Sequence, residues 1–443
     1  MADRYWVGGS GTWNGTNTTN WSTSSGGVGG ASVPTSSDNV FFDANSHTTN
    51  YTVTVATTNP SCLDFSMDAP ASGKITFAGS RDISVYGSFY LLGGTAGITW
   101  TWNQALIFLS TSGTQIVQGN GVTFSSNSTI RFSGIDGYWK VVGSGSNGLV
   151  TAGSILLRAG TLDIDGNTIT ANSFQMQLDN SKTIAFGAGG VIDLNGSVTS
   201  FSVASTIPAN FNYTGTGTIK FSSANTAAIP FSSNNGFSYP NLEISIPTTG
   251  HNFVIQGNVS IEKIISTLGN DQNLKFASSN TFIIGDLEID GANLISNNPG
   301  GTFTLSCPSG LISVSNSTIS DSIATGGATF LAYTTNGNTN GGNNTGWIFD
   351  APVTQNAARD ENRVTTMLAV LSDDGETPYR VLGDESSHAL MVNTSDFSVA
   401  PGRNIAQRDE NRVTTMLAVS SDDETTPVEL YTDSDGNLLI ELN

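Results

Sequence analysis

From residue 1 to about residue 349 the chain is written in short runs that alternate apolar and polar positions. Tyr51-Thr-Val-Thr-Val55, Ile98-Thr-Trp-Thr-Trp102, Thr129-Ile-Arg-Phe132, Thr161-Leu-Asp-Ile-Asp165 and Thr218-Ile-Lys-Phe221 are examples. Successive side chains of a strand point to opposite faces, so period-two alternation of β-branched and aromatic residues marks half-buried strands. Gly, Asn, Asp or Ser stands between nearly all the runs, at turn positions. No window of a dozen residues carries a helical period. The pattern predicts an all-β region.

Roughly a third of these positions are Ser, Thr or Asn, a bias shared with disordered tracts. The alternation argues for order instead. A single sandwich core of ~350 residues would be too large, and the Cys–Trp–Cys spacing of immunoglobulin domains is missing. A propeller needs a recurrent blade motif, which is also missing. A β-solenoid, strands stacked coil upon coil, fits best. Ser154 to Leu178 is the model passage: Ser-Ile-Leu-Leu-Arg, Gly-Thr-Leu-Asp-Ile-Asp-Gly, Asn-Thr-Ile-Thr, then Ser-Phe-Gln-Met-Gln-Leu. At roughly 20–25 residues per coil, residues 1–349 would make about 14–16 coils and a rod on the order of 70 Å long. An open end coil invites stacking between molecules and needs a cap. Trp6, Trp13 and Trp21, with Tyr5 and Phe41-Phe42, suit an N-terminal cap over residues 1–45, leaving 46–349 as solenoid. The same aromatics would also serve as a sugar-binding platform.

Two stretches carry a resemblance. Tyr5-Trp-Val-Gly-Gly-Ser-Gly-Thr-Trp13, Asn20-Trp21-Ser22 and Pro34-Thr-Ser-Ser-Asp-Asn-Val-Phe-Phe-Asp43 resemble the opening of bacterial autotransporter passenger domains and phage surface solenoids. Ala324-Thr-Gly-Gly-Ala-Thr-Phe330 and Gly341-Gly342-Asn343-Asn344-Thr345-Gly346-Trp347 are similar to the end of the same domain in phage virion and tail proteins. The resemblance implies a right-handed parallel β-helix on a virion or cell surface. The start, Met-Ala-Asp-Arg-Tyr-Trp, reads as no secretion signal, and no autotransporter barrel follows, which favours a virion protein made in the host cytoplasm.

Charge divides the chain. Residues 1–349 hold 10 basic and 18 acidic side chains, whereas the 94 residues of 350–443 hold 6 and 18. Residues 350–358 read as a linker. Beyond it, Arg359-Asp-Glu-Asn-Arg-Val-Thr-Thr-Met-Leu-Ala-Val370 recurs unchanged as Arg408 to Val419, an offset of 49 residues. Two tandem β repeats, 359–394 and 395–443, are expected, each with a strand through Met-Leu-Ala-Val, an acidic turn and two further short strands. Asp433-Ser-Asp-Gly-Asn437 is a hairpin signal. A unit this small buries little apolar surface alone. Arg359, Arg363, Val364, Met367 and Leu368, with Arg408, Arg412, Val413, Met416 and Leu417, are therefore the candidate residues for self-association or docking. The repeat resembles those of phage fibres, which implies a homo-oligomer, taken as a trimer, joined to other virion proteins. A pair of solvated hairpins on a tether is the alternative.

The candidate chemistry is thin. A net charge of −20 and a pI near 4.2 oppose binding to nucleic acid. No apolar run approaches the ~20 residues of a membrane span. His47, His251 and His388 have no metal spacing, and Gly26-Gly27-Val28-Gly29-Gly30 lacks the context of a phosphate loop. Cys62 and Cys307 read as small buried hydrophobes. Glycosidases pair two carboxylates, and Asp163 with Asp165, or Asp286, Glu288 and Asp290, would share a strand face. The polar face of an alternating strand points to solvent in any case, and weak Ca²⁺ binding would suit the same acids. No cofactor is expected. The reading is a non-enzymatic structural or adhesive virion protein that meets a host surface glycan, with a glycan-degrading tailspike and a bacterial cell-surface adhesin as alternatives.

Overall fold

A computed structural model of the chain describes residues 1–350, apart from 144–147, 197–200, 204–206, 224–228, 233–234, 248 and 268–271. Beyond 350 it describes only the backbone of short strands. The chain divides into two units, Met1–Thr354 and Gln355–Asn443.

The first unit is a parallel β-solenoid with three faces. One coil shows the plan. Ser154–Leu157 lies on the third face, Gly160–Asp163 on the first, Thr168–Ala171 on the second, and Ser173–Met176 returns to the third. On return, Ser154 pairs with Ser173, Ile155 with Phe174 and Leu157 with Met176, all parallel. The corners follow from local sequence. Asp165 (φ 48°) and Gly166 (φ 76°) turn the chain from first to second face, and the left-handed region they occupy favours Gly and Asp. In Lys182–Leu194 and Phe211–Phe221 the strand runs on around that corner. Gly187 and Gly215 make the bend at positive φ, and a Cβ on Gly215 would collide with the carbonyl of Gly187.

The third face counts the coils. Among the described residues it has thirteen strands from Ser61–Cys62 to Thr339–Asn340, hence about twelve turns rather than 14–16. Paired residues are as few as 19 apart (Ser154 and Ser173) and as many as 30 (Phe201 and Phe231). The N-terminal coil is longer still: Gly11 pairs with Val53, 42 residues on. On average these turns have the expected length, and the count is lower because the third-face strands span only Ser61 to Asn340. At ~4.8 Å per turn the rod is about 60 Å long. Among the described residues helix is confined to single turns such as Gly94–Gly97 and Pro208–Asn210.

One continuous core runs up the axis, from Trp6 to Trp347. Inward residues stack on their counterparts one coil away. Phe108 lies on Phe132 (4.9 Å, 10°), and Phe174, Phe201 and Phe231 follow one another at 6.0 and 5.3 Å. Burying such side chains contributes roughly 1.5–3 kcal/mol each, so the core outweighs the modest share of each ladder bond.

In the second unit, Leu368–Val370 pairs antiparallel with Pro378–Arg380, and Met416–Val419 with Pro427–Thr432. The registers correspond at the offset of 49: Leu368 opposes Arg380 as Leu417 opposes Glu429. Leu382–Gly383 pairs with Leu390–Met391, and Tyr431-Thr432 with Leu438-Leu439.

Candidate functional site

The N-terminal aromatics come together inside the fold. Trp6, Trp13 and Trp21 are buried at 0%, 1% and 0% exposure, so their rings offer no platform to a sugar. Asp3–Trp6 pairs antiparallel with Trp21-Ser22 and parallel with Asn39–Phe42, which sets Trp6 opposite Trp21. Edge-to-face contacts of 5.1 and 5.3 Å join Trp21 to Trp6 and Trp13. The polar residues of the opening stretch hold this cluster shut. Asn20 donates from Nδ2 to the Val7 carbonyl (2.9 Å), and a Cβ on Gly11 would collide with the Asn20 amide. Buried Asp38 accepts from Ala2 N (3.0 Å), Thr35 N (3.1 Å) and Thr35 Oγ1 (2.8 Å). Burial pushes its carboxyl up, but these bonds and the Arg4 charge outweigh that and hold it below the usual range.

The candidate acid pairs are engaged with partners on neighbouring coils. Asp163 accepts the Tyr138 hydroxyl at 2.6 Å on Oδ2 and the Asp165 amide at 2.9 Å on Oδ1. The Asp163 bond, helped by burial, pushes Tyr138 up to about 12. Asp165 does not share the strand face with Asp163 as expected. The strand ends at Asp163, and Asp165 sits on the corner, where it pairs with Lys140 at 2.9 Å. The Asp-Gly pair that closes the run is itself the turn signal that explains the difference.

Asp286, Glu288 and Asp290 do alternate along one strand, Thr281–Asp290. Lys263, opposite Asp286 on the preceding coil, bridges Asp286 (3.2 Å) and Glu288 (2.7 Å). Its hydrogen bond to Glu288 raises the ammonium's pKa against the opposing effect of burial. Asp290 accepts from Ser315 Oγ (2.9 Å) and Asn316 Nδ2 (2.6 Å). A further pair, Lys220 with Glu243 at 2.7 Å, follows the same plan. Burial raises Glu243, yet Lys220 and Ser245 bonds hold it below its ordinary value. Among the described residues no three His, Cys, Asp or Glu side chains are grouped to hold a metal ion.

A shallow cleft of about 220 Å³ lies where Tyr213, Ser260, Glu262, Ile283 and Pro308 meet. Its one carboxylate, Glu262, lies 3.1 Å from the Tyr213 hydroxyl. Burial, with Glu262 beside it, pushes Tyr213 up to about 12. A lone carboxylate supplies one half of an acid–base pair at most. Cys62 and Cys307 are buried free thiols, and burial pushes Cys62 up. No helix among the described residues is long and apolar enough to cross a membrane.

Leu368, Met416 and Leu417 fall on the short strands of the second unit. Arg359, Arg363, Val364, Met367, Arg408, Arg412 and Val413 lie outside the described residues. Sequence reasoning missed the partners of the acids. Lys220 and Glu243, like Lys263 and Asp286, are separated by about one coil, a spacing that names a partner only once the register is fixed.

Fold and site together define a parallel β-solenoid with lysine–carboxylate pairs between adjacent coils. No protein-family model, no curated protein and no solved structure matches the chain.

Proposed function

We propose that this chain is a non-enzymatic structural and adhesive protein of a phage virion. In this reading the solenoid is a tail- or capsid-attached shaft whose hydroxyl- and amide-rich flanks meet a host surface glycan. The observation that carries it is the engagement of the outward carboxylates. Asp163, Asp165, Asp286, Glu288 and Asp290 each hold a lysine, tyrosine, serine, asparagine or backbone partner that braces adjacent coils. An acid so bonded is a strut, and a hydrolase needs two that are poised over a substrate. The in-register asparagines add to the flank. Asn273 donates to Asn252 and Asn293 donates to Asn273, both at 3.1 Å, in the manner of a side-chain ladder.

The C-terminal repeats serve assembly in this proposal. They dock the shaft to other virion proteins and to copies of the chain, taken as three, through Arg359, Arg363, Val364, Met367 and Leu368 and their counterparts from Arg408 to Leu417. With 18 acidic and 6 basic residues on that region, self-association strengthens as salt screens the repulsion.

The test is retention of the full chain on host cells and on isolated surface polysaccharide, with light scattering of the full chain and of a chain ended after Phe349. Retention together with fewer subunits in the shortened chain supports the proposal. Failure to be retained on either surface ends the adhesive reading. Equal subunit numbers end the assembly role.

A further inference from the structure

The solenoid is an acidic object, with 18 acidic and 10 basic side chains in residues 1–349. Among the described residues its four ion pairs all use lysine. Two of its arginines, Arg131 and Arg158, form no ion pair among the described residues and lie close to each other.

Arg131 and Arg158 project from the third face on successive coils. Arg131 opposes Leu156 in the parallel register, and Arg158 lies two residues further along the same side. With ~4.8 Å between strands and ~6.6 Å per two residues, their backbones are about 8 Å apart, within reach of two long side chains. The guanidinium of Arg158 donates from Nε (3.2 Å) and Nη2 (3.0 Å) to Gln177 Oε1. Gln177 Nε2 then donates to Gln175 Oε1 at 3.0 Å, and Gln175 to Ser173 Oγ at 3.4 Å. This relay fixes Arg158, with Gln177 Oε1 taken by the guanidinium and Gln175 Oε1 taken by Gln177. Arg131 makes no hydrogen bond or ion pair among the described residues, and its Nε is buried without a partner. Leu156, an outward residue, is only 7% exposed. It stands in register with Arg131 and two residues before Arg158, an apolar residue between the two cations. Burial and the charge of Arg131 both lower the pKa of Arg158.

Two like charges on an apolar floor, one with unspent donors, are costly unless an anion joins them. We propose that Arg131 and Arg158 form an oxyanion subsite on the third face, which takes a carboxylate, sulfate or phosphate substituent of an acidic surface glycan. Guanidinium forks match such groups in planar, bidentate geometry. The subsite rests on the adhesive reading and supplies its ligand class. The acidic flanks around it repel a polyanion at long range, so recognition is local and falls with added salt once the short-range pairing is screened.

The test is calorimetric titration of the full chain with a trigalacturonate, a sulfated trisaccharide and a neutral trisaccharide. The two acidic ligands bind and the neutral one does not. Arg131→Gln weakens acidic binding at least tenfold and leaves the melting temperature unchanged or raised, because Arg131 holds nothing in place. Arg158→Lys keeps the charge, loses the paired bonds to Gln177, and weakens binding less than Arg131→Gln. Absence of acidic-ligand binding, or equal affinity in Arg131→Gln, overturns the subsite. Retention on host cells separates the two claims. Retention that Arg131→Gln leaves intact defeats the subsite and spares the adhesive reading. Oligosaccharide binding without retention defeats the adhesive reading and spares the subsite.

Discussion

The first coils and the middle coils of the solenoid fill the same three-faced frame in different ways. Near the N-terminus the core is aromatic: Trp6, Trp13, Trp21, Phe42, Phe65, Phe77, Phe89 and Trp100 make a chain of contacts across all faces. From about residue 150 the interior is mainly aliphatic, with Ile155, Leu157, Leu162, Ile164 and Ile169 typical. In the first coils bulky rings fill the interior that Ile and Leu mostly fill later. The aromatic solution has a polar cost. Trp6 Nε1 reaches Gly9 O and Trp102 Nε1 reaches Arg81 O, but Trp21, Trp100 and Trp139 bury their N–H groups without a partner. Volume outranks hydrogen bonding at that end.

The sharpest way to break this comparison is to empty the cap. Trp13→Ala removes a ring that touches Trp21, Phe42 and Phe65, and should cost about 3–5 kcal/mol in denaturant unfolding. Leu162→Ala in the middle coils should cost about 2–5 kcal/mol. A smaller loss at Trp13 than at Leu162 would show that the cap does not close the core.

Next comes the clasp. Asp38→Ala frees the bonds to Ala2 and Thr35 and should cost about 1–3 kcal/mol. Its folded carboxyl titrates below the ordinary 3.8, so the contribution is present above that value. It is lost as pH falls through the folded pKa, and the variant should lack that part of the acid transition. In the middle coils, Gly215→Ala strains the corner against Gly187 and should cost about 1 kcal/mol or more.

His251 gives a pH-dependent contrast. Its ring is buried, neither nitrogen has a partner among the described residues, and burial lowers its pKa from 6.5. The unfolded chain then takes the proton first, so stability falls as pH drops below about 6.5, by at most ~1.4 kcal/mol per unit. His251→Phe should flatten that slope, as melting curves between pH 7.5 and 5 would reveal. The smallest effect belongs to the surface struts. Lys263→Met exposes Asp286 and Glu288 to each other and should cost under about 1 kcal/mol, since exposed pairs are screened.

Much of this frame is legible in the sequence, and the limits are physical. Alternation gives the strands: Tyr51–Val55, Thr129–Phe132 and the coil from Ser154 to Met176 are where the pattern puts them. Strand ends are less legible, because a turn residue can continue an alternating run, as Asp165 does and as Trp102 does beyond the strand Ile98–Trp100. The division into three faces leaves no sequence repeat, since each coil needs only inward apolar residues and a tight corner. Coil length varies from 19 to 42 residues for the same reason, and the long N-terminal coil is what an even division of the chain misses. The acids were visible and their partners were not. Those partners lie one coil away, and only the register brings Lys263 to Asp286 and Glu288, or Tyr138 to Asp163. The arginine pair was invisible for the same cause, with Arg131 and Arg158 separated by a full coil.

The central claim is that the outward carboxylates brace the coils and do not cut glycans. Its direct measurement is the release of reducing ends when the full chain is incubated with host surface polysaccharide, for the native sequence and for Asp163→Asn, Glu288→Gln and Glu262→Gln. The account expects no release above the protein-free control from any of the four, and lower melting temperatures for Asp163→Asn and Glu288→Gln alone. Release of new reducing ends by the native chain, abolished by any one of these substitutions, would contradict it.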